Sequence, residues 1–79
     1  MQPHFTKLQG QYLAFIHAYT KLNRVPPAEA DMQRYFEVTP PSVHQMVLTL
    51  EKRGLIVRTP GQPRTIKVLA LAHELPELE

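Results

Sequence analysis

The 79-residue sequence has no cysteine, so neither disulfides nor thiolate metal sites can hold the chain together, and its apolar core must do so unaided. It has no run near the roughly 18 apolar residues that a membrane span needs. The opening Met1-Gln2-Pro3-His4 has no basic stretch leading into an apolar one. A cytoplasmic protein in a reducing compartment is expected. The glycines are dispersed at Gly10, Gly54 and Gly61, which excludes a glycine-rich phosphate loop. Ser42 is the single serine, and its neighbour His44 lies two residues on, where helical side chains diverge, so no nucleophile–base pair forms there. His4, His17, His44 and His73 fall in four separate segments without a carboxylate at ligand spacing, so no metal site is expected. A chain this short buries only about 60% of the surface it exposes when unfolded, which leaves little room for a substrate cavity beside a core. One domain is expected, with no catalytic residues, cofactor or small-molecule substrate.

Charge is unevenly spread. Residues 1–69 hold nine Lys and Arg against Glu29, Asp31, Glu37 and Glu51, a net +5, whereas residues 70–79 hold Glu74, Glu77 and Glu79 with no Lys or Arg, a net −3. A basic domain over 1–69 with an acidic C-terminal tail over 70–79 is compatible with a polyanionic partner.

Prolines divide the rest. Between Pro3 and Pro26-Pro27, the apolar residues Leu8, Tyr12, Phe15, Ile16, Tyr19 and Leu22 recur at helical spacing. Thr6 and Gln9 fit a capping box, so a helix from about Lys7 to Asn23 is expected, with Gly10 weakening it by about 1 kcal/mol. Ala28 to Phe36 makes a short second helix with Pro27 in its first turn. Glu37-Val38 links it to a third, capped by Thr39 and opened by Pro40 and Pro41, whose inner stripe is Val43, Met46, Val47 and Leu50. Ser42, Gln45, Thr49 and Lys52 share its opposite side. Gly54 closes it, and 55–59 and 65–69 form two β-rich runs around Pro60-Gly61, the pair a type II turn requires. The tail leucines Leu71, Leu75 and Leu78 can pack back on the first helix, form a dimer contact or stay disordered.

This order gives a mainly α fold with a small β-hairpin, a winged helix-turn-helix built of a three-helix bundle plus a wing. Two short helices with a tight link suit a major-groove reader, and a basic hairpin suits a wing along the phosphates. Ser42 to Ile56 resembles the recognition helix and first strand of LexA-type repressors, with Val43-His44 early and Leu50-Glu51-Lys52-Arg53-Gly54-Leu55-Ile56 at its end. Pro26-Pro27 and Arg64-Thr65-Ile66 match that pattern too, so the resemblance covers roughly residues 5–69. Val38 to Val43 is equally similar to iron-dependent repressors of the diphtheria-toxin-repressor type.

The resemblance implies a sequence-specific, double-stranded DNA-binding transcriptional regulator of the repressor kind, and by analogy a homodimer on a two-fold site. It places base readers at Pro41, Ser42, His44 and Gln45. Pro41 departs from the polar residue expected there and offers an apolar surface. Gln45 can pair bidentately with adenine, and Ser42 and Thr49 can serve bases or phosphates. Thr39, Lys52, Arg53, Arg58, Gln62, Arg64 and Lys67 are the candidate phosphate contacts. LexA repressors continue into a self-cleaving, dimerising domain, and a regulator without one is expected here. The competing expectation is a winged-helix protein-interaction module using Leu48, the hairpin and the acidic tail.

Overall fold

A computed structural model describes residues 5–79. The expectation of no leader falls on Met1–His4, which lie outside the described residues. The order is α1 (Lys7–Asn23), α2 (Glu29–Phe36), α3 (Pro40–Lys52), β1 (Ile56–Val57) and β2 (Lys67–Val68), followed by a single 3-10 turn, Ala72–Glu74.

The capping box forms as expected. Thr6 Oγ1 accepts the Gln9 N–H at 3.1 Å while Gln9 Oε1 accepts the Thr6 N–H at 3.0 Å. The helix closes at Arg24, whose left-handed φ of 64° turns its N–H onto the Thr20 carbonyl. Burial departs from the single expected stripe. Tyr12, Phe15 and Ile16 are buried, but Leu8 and Leu22 are 53% and 81% exposed, while Leu13, Gln9, Gly10 and Gln11 are inside. Periodicity describes packing against one neighbour, whereas α1 is covered by α2, the hairpin and the returning tail, which widens its buried arc over the first half.

Gly10 is more than a weak helix residue. A Cβ there would lie 2.9 Å from Phe5 Cε1 and 3.1 Å from Pro76 Cγ, so its bare backbone is what lets the tail approach. That tail is strapped down rather than loose. The buried Gln11 amide donates to the Glu77 carbonyl at 2.9 Å and accepts the Glu79 N–H at 2.8 Å, Tyr35 donates its hydroxyl to the Glu79 carbonyl, and Leu75 and Leu78 pack on the core. Leu71 remains 59% exposed.

The second helix starts one residue later than the sequence suggests. Pro27 precedes the cap residue Ala28 and is fully buried. Its last turn places Phe36 flat on Tyr12, with ring centroids 4.1 Å apart, and leaves Tyr35 41% exposed. Glu37, at φ 55°, ends α2, and Thr39 caps α3 with Pro40 and Pro41 in its first two positions.

Val43, Val47 and Leu50 of α3 are fully buried with Leu13, Ile16, Met32 and Ile56. The hairpin is shorter than its two five-residue runs, pairing only Ile56 with Val68 and Val57 with Lys67. Pro60 and Pro63 cannot donate to a ladder, and Arg64 at φ 60° breaks the extended path. The Thr65 hydroxyl substitutes by accepting the Thr59 N–H at 2.9 Å. At the tip, Gln62 N–H bonds the Thr59 carbonyl with Gly61 at φ 78°, the type II geometry expected.

Gly10→Ala sets alanine's helix preference, worth about 1 kcal/mol, against overpacking that costs about 1–3 kcal/mol. The expected outcome is a lower Tm with faster amide exchange at Glu79, and a higher Tm would show that the close approach of Pro76 is unimportant.

Candidate nucleic-acid interface

Because α3 commits Val43, Val47 and Leu50 to the core, its remaining residues form the opposite surface by geometry alone. Pro41, His44, Gln45, Leu48 and Lys52 are exposed and run along one side of the helix, with Thr49 half-buried at the stripe's edge. The three residues Glu37, Val38 and Thr39 make the link to α2, a length suited to a helix-turn-helix.

Each candidate base reader has a distinct chemical state. The Gln45 amide makes no hydrogen bond among the described residues, so both its donor and its acceptor face outward. Ser42 accepts from the Thr39 hydroxyl at 3.0 Å and keeps its own proton to give. Thr49 donates to the Gln45 carbonyl at 2.9 Å, which leaves its oxygen only as an acceptor. His44 turns Nδ1 to the Glu29 carboxylate, 3.2 Å from both oxygens. A carboxylate only accepts, so Nδ1 carries the proton, and Nε2 is the atom left for another partner. This carboxylate comes from α2, fifteen residues away in the sequence, and meets His44 only through the fold. Pro41 presents only its ring.

The candidate phosphate contacts divide into two groups. Lys52, Gln62 and Lys67 are exposed and unpaired among the described residues. Thr39 is spent on the α3 cap, Arg53 donates to Gln9 Oε1 at 3.1 Å, and Arg58, with a side chain only 16% exposed, pairs with Glu51 at 3.2 Å.

Arg64 is the most heavily tied. Its Nη1 lies 3.0 Å from the Tyr19 hydroxyl, 3.1 Å from Asp31 Oδ2 and 3.4 Å from the Pro26 carbonyl, with the guanidinium over the Tyr19 ring. The hydrogen bond with Tyr19 and the nearby Asp31 charge raise its pKa above the ordinary arginine value, so it remains cationic at every working pH. Asp31 is the other end of this arrangement. Ala28 has no side-chain acceptor, so Asp31 Oδ2 takes the Ala28 N–H at 2.8 Å while Oδ1 takes Arg34 at 2.6 Å. One carboxylate thus starts α2 and anchors the wing.

A family model of the LexA DNA binding domain matches residues 1–65. The chain belongs to the LexA DNA-binding domain family. It is 38% identical over 64 residues to the LexA repressor of Thermosipho africanus, an alignment covering 81% of this chain and 32% of that one. It is 35% identical over 63 residues to the LexA repressor of Thermotoga petrophila, covering 80% and 32%. With the LexA repressor of Bartonella quintana it shares 35% identity over 68 residues, covering 85% and 29%. The chain spans about a third of the length of the curated relatives it matches. The winged-helix fold expected from the sequence is the LexA-type fold the coordinates show. No helix of the described residues is long and apolar enough to cross a membrane.

In this LexA-type domain the residues that sequence reasoning missed are Gln9, Tyr19, Glu29, Asp31 and Glu51, the internal partners of the site. Asp31 alone carried a signal, three residues after an uncapped Ala28 at the predicted start of α2. Asp31→Ala should cost about 2 kcal/mol through the lost cap and charged hydrogen bonds, seen as a Tm drop of roughly 10 °C. Asp31→Asn, which keeps an acceptor oxygen for Ala28, should lose less. An Asp31→Ala protein that melts with the parent would remove Asp31 from this role.

Proposed function

We propose that this chain binds double-stranded DNA sequence-specifically, with α3 in the major groove, and acts as a repressor-type transcriptional regulator in the cytoplasm. The observation that supports this most is the Gln45 amide, outward on α3 with its hydrogen-bonding capacity unspent, in a chain of the LexA DNA-binding family. A glutamine in that state matches the donor–acceptor edge of adenine. Ser42 offers a proton, Thr49 an acceptor and His44 its Nε2, so the polar part of the stripe can discriminate bases by directional bonds. Pro41 borders it with apolar surface.

Phosphate contact falls first to Lys52, Gln62 and Lys67, whose side chains need break no internal bond to reach a backbone. Thr39, Arg53, Arg58 and Arg64 hold the cap, the helix ends and the wing in place, and add charge to the surface from those positions. In this reading residues 1–69 are the binding domain and residues 70–79 an acidic tail strapped to α1. The domain is a binding module rather than an enzyme, and a homodimer would set two copies of α3 on a two-fold site.

The competing interaction-module reading draws on the exposed Leu48 and Leu71, but Leu75 and Leu78 of the tail are already committed to the body. A DNA titration across salt concentrations separates the two, because each neutralised phosphate adds about 0.9 to the slope of log affinity against log salt. Lys52→Ala and Lys67→Ala should each lower that slope by nearly one. Arg64→Ala should lower the Tm more than it changes the slope. Gln45→Ala should relax preference at one base pair by about 1–3 kcal/mol. Weak binding that ignores salt would contradict the DNA-binding reading.

A further inference from the structure

Two apolar side chains flank Gln45 on the outward edge of α3. Pro41 precedes it by one helical turn and Leu48 follows it by three residues, so the three lie along one side of the helix, neighbours being about 5–6 Å apart at the Cβ atoms. Leu48 is 36% exposed although the core that the same helix feeds is otherwise closed over Val43, Val47 and Leu50. Neither Pro41 nor Leu48 can make a directional side-chain bond. In the major groove the one apolar feature of a base edge is the C5-methyl group of thymine.

We propose that Pro41 and Leu48 are specificity-determining residues that each pack on a thymine methyl, one on either side of the adenine read by Gln45. This rests on the proposed DNA-binding reading and narrows it to the chemistry of the recognised site. The preferred half-site is then a short A·T-rich step in which methyl groups add discrimination to that of the hydrogen bonds made by Gln45 and its polar neighbours. A flanking G·C pair offers Leu48 and Pro41 polar edges that they desolvate without compensation. Ser42 and Thr49 can each bond to several base edges, so the methyl contacts add to the selectivity that their directional bonds begin.

The test starts from duplexes selected out of random DNA by the full 79-residue chain, in which each thymine is replaced singly by deoxyuridine, which removes only the methyl. Burial of one methyl group corresponds to about a fourfold change in affinity. Two positions flanking the Gln45-dependent adenine should therefore lose roughly fourfold on replacement. In Leu48→Ala the loss at one of them should vanish and the other persist, and Pro41→Ala should show the converse. Because Pro41 is exposed and Leu48 partly covered, Pro41→Ala should melt close to the parent and Leu48→Ala somewhat below it, both fully folded at the temperature of the titration. Selected duplexes that tolerate deoxyuridine at every thymine, or that lose affinity equally in parent and variants, would overturn the methyl-reading proposal while leaving DNA binding intact. A pool in which no sequence is enriched would overturn both.

Discussion

The arrangement of this domain turns on the carboxylate of Asp31. Burying a charge is costly unless donors surround it, and Asp31, 9% exposed, is met by the Ala28 N–H, Arg34 and Arg64. Those three donors belong to the start of α2, the last turn of α2 and the wing. Because α2 sets the position of α3 through the short Glu37–Thr39 link, the same carboxylate fixes α3 and the hairpin in one frame. Tyr19 extends that frame to α1 by holding the far side of the Arg64 guanidinium.

The arginines and lysines of the surface have different work, for a physical reason. A guanidinium is planar, weakly hydrated and carries several fixed donors, so it is readily drawn into partly buried networks, while a lysine ammonium is strongly hydrated and stays outside. Arg53, Arg58 and Arg64 consequently brace α1, α3 and the hairpin, and Lys52 and Lys67 project from the finished surface. Pro41 is exposed and Leu48 keeps about a third of its surface outside the core, so both present apolar surface on the outward side of α3. The outward side of α3 therefore sets directional polar groups, Ser42, His44, Gln45 and Thr49, beside the apolar Pro41 and Leu48.

Much of this was legible in the residues. Thr6 with Gln9, Thr39 with Pro40-Pro41, and Gly54 located helix ends because capping is a local interaction that needs no knowledge of the rest of the chain. The outward stripe of α3 followed from the inward one. What stayed hidden was tertiary. Leu13 lay off the periodic stripe of α1 because several elements cover that helix, and Gly10 looked like a defect because Phe5 and Pro76 approach it from distant parts of the sequence. Net charge identified a basic body, but could not tell which cations find internal acceptors, since Asp31, Glu51 and Gln9 meet their arginines only after folding. His44 illustrates the same point, its carboxylate neighbour being contributed by another helix.

The central claim is that the outward edge of α3, together with the free lysines, is the surface that meets DNA. Its most direct measurement is backbone amide NMR of the domain titrated with a selected duplex. The largest shifts are expected at Ser42, His44, Gln45, Leu48, Thr49, Lys52, Gln62 and Lys67, with little change at Gln11, Glu77 and Glu79, where the tail lies on α1. Shifts centred on that tail and on Tyr35, with α3 undisturbed, would contradict it.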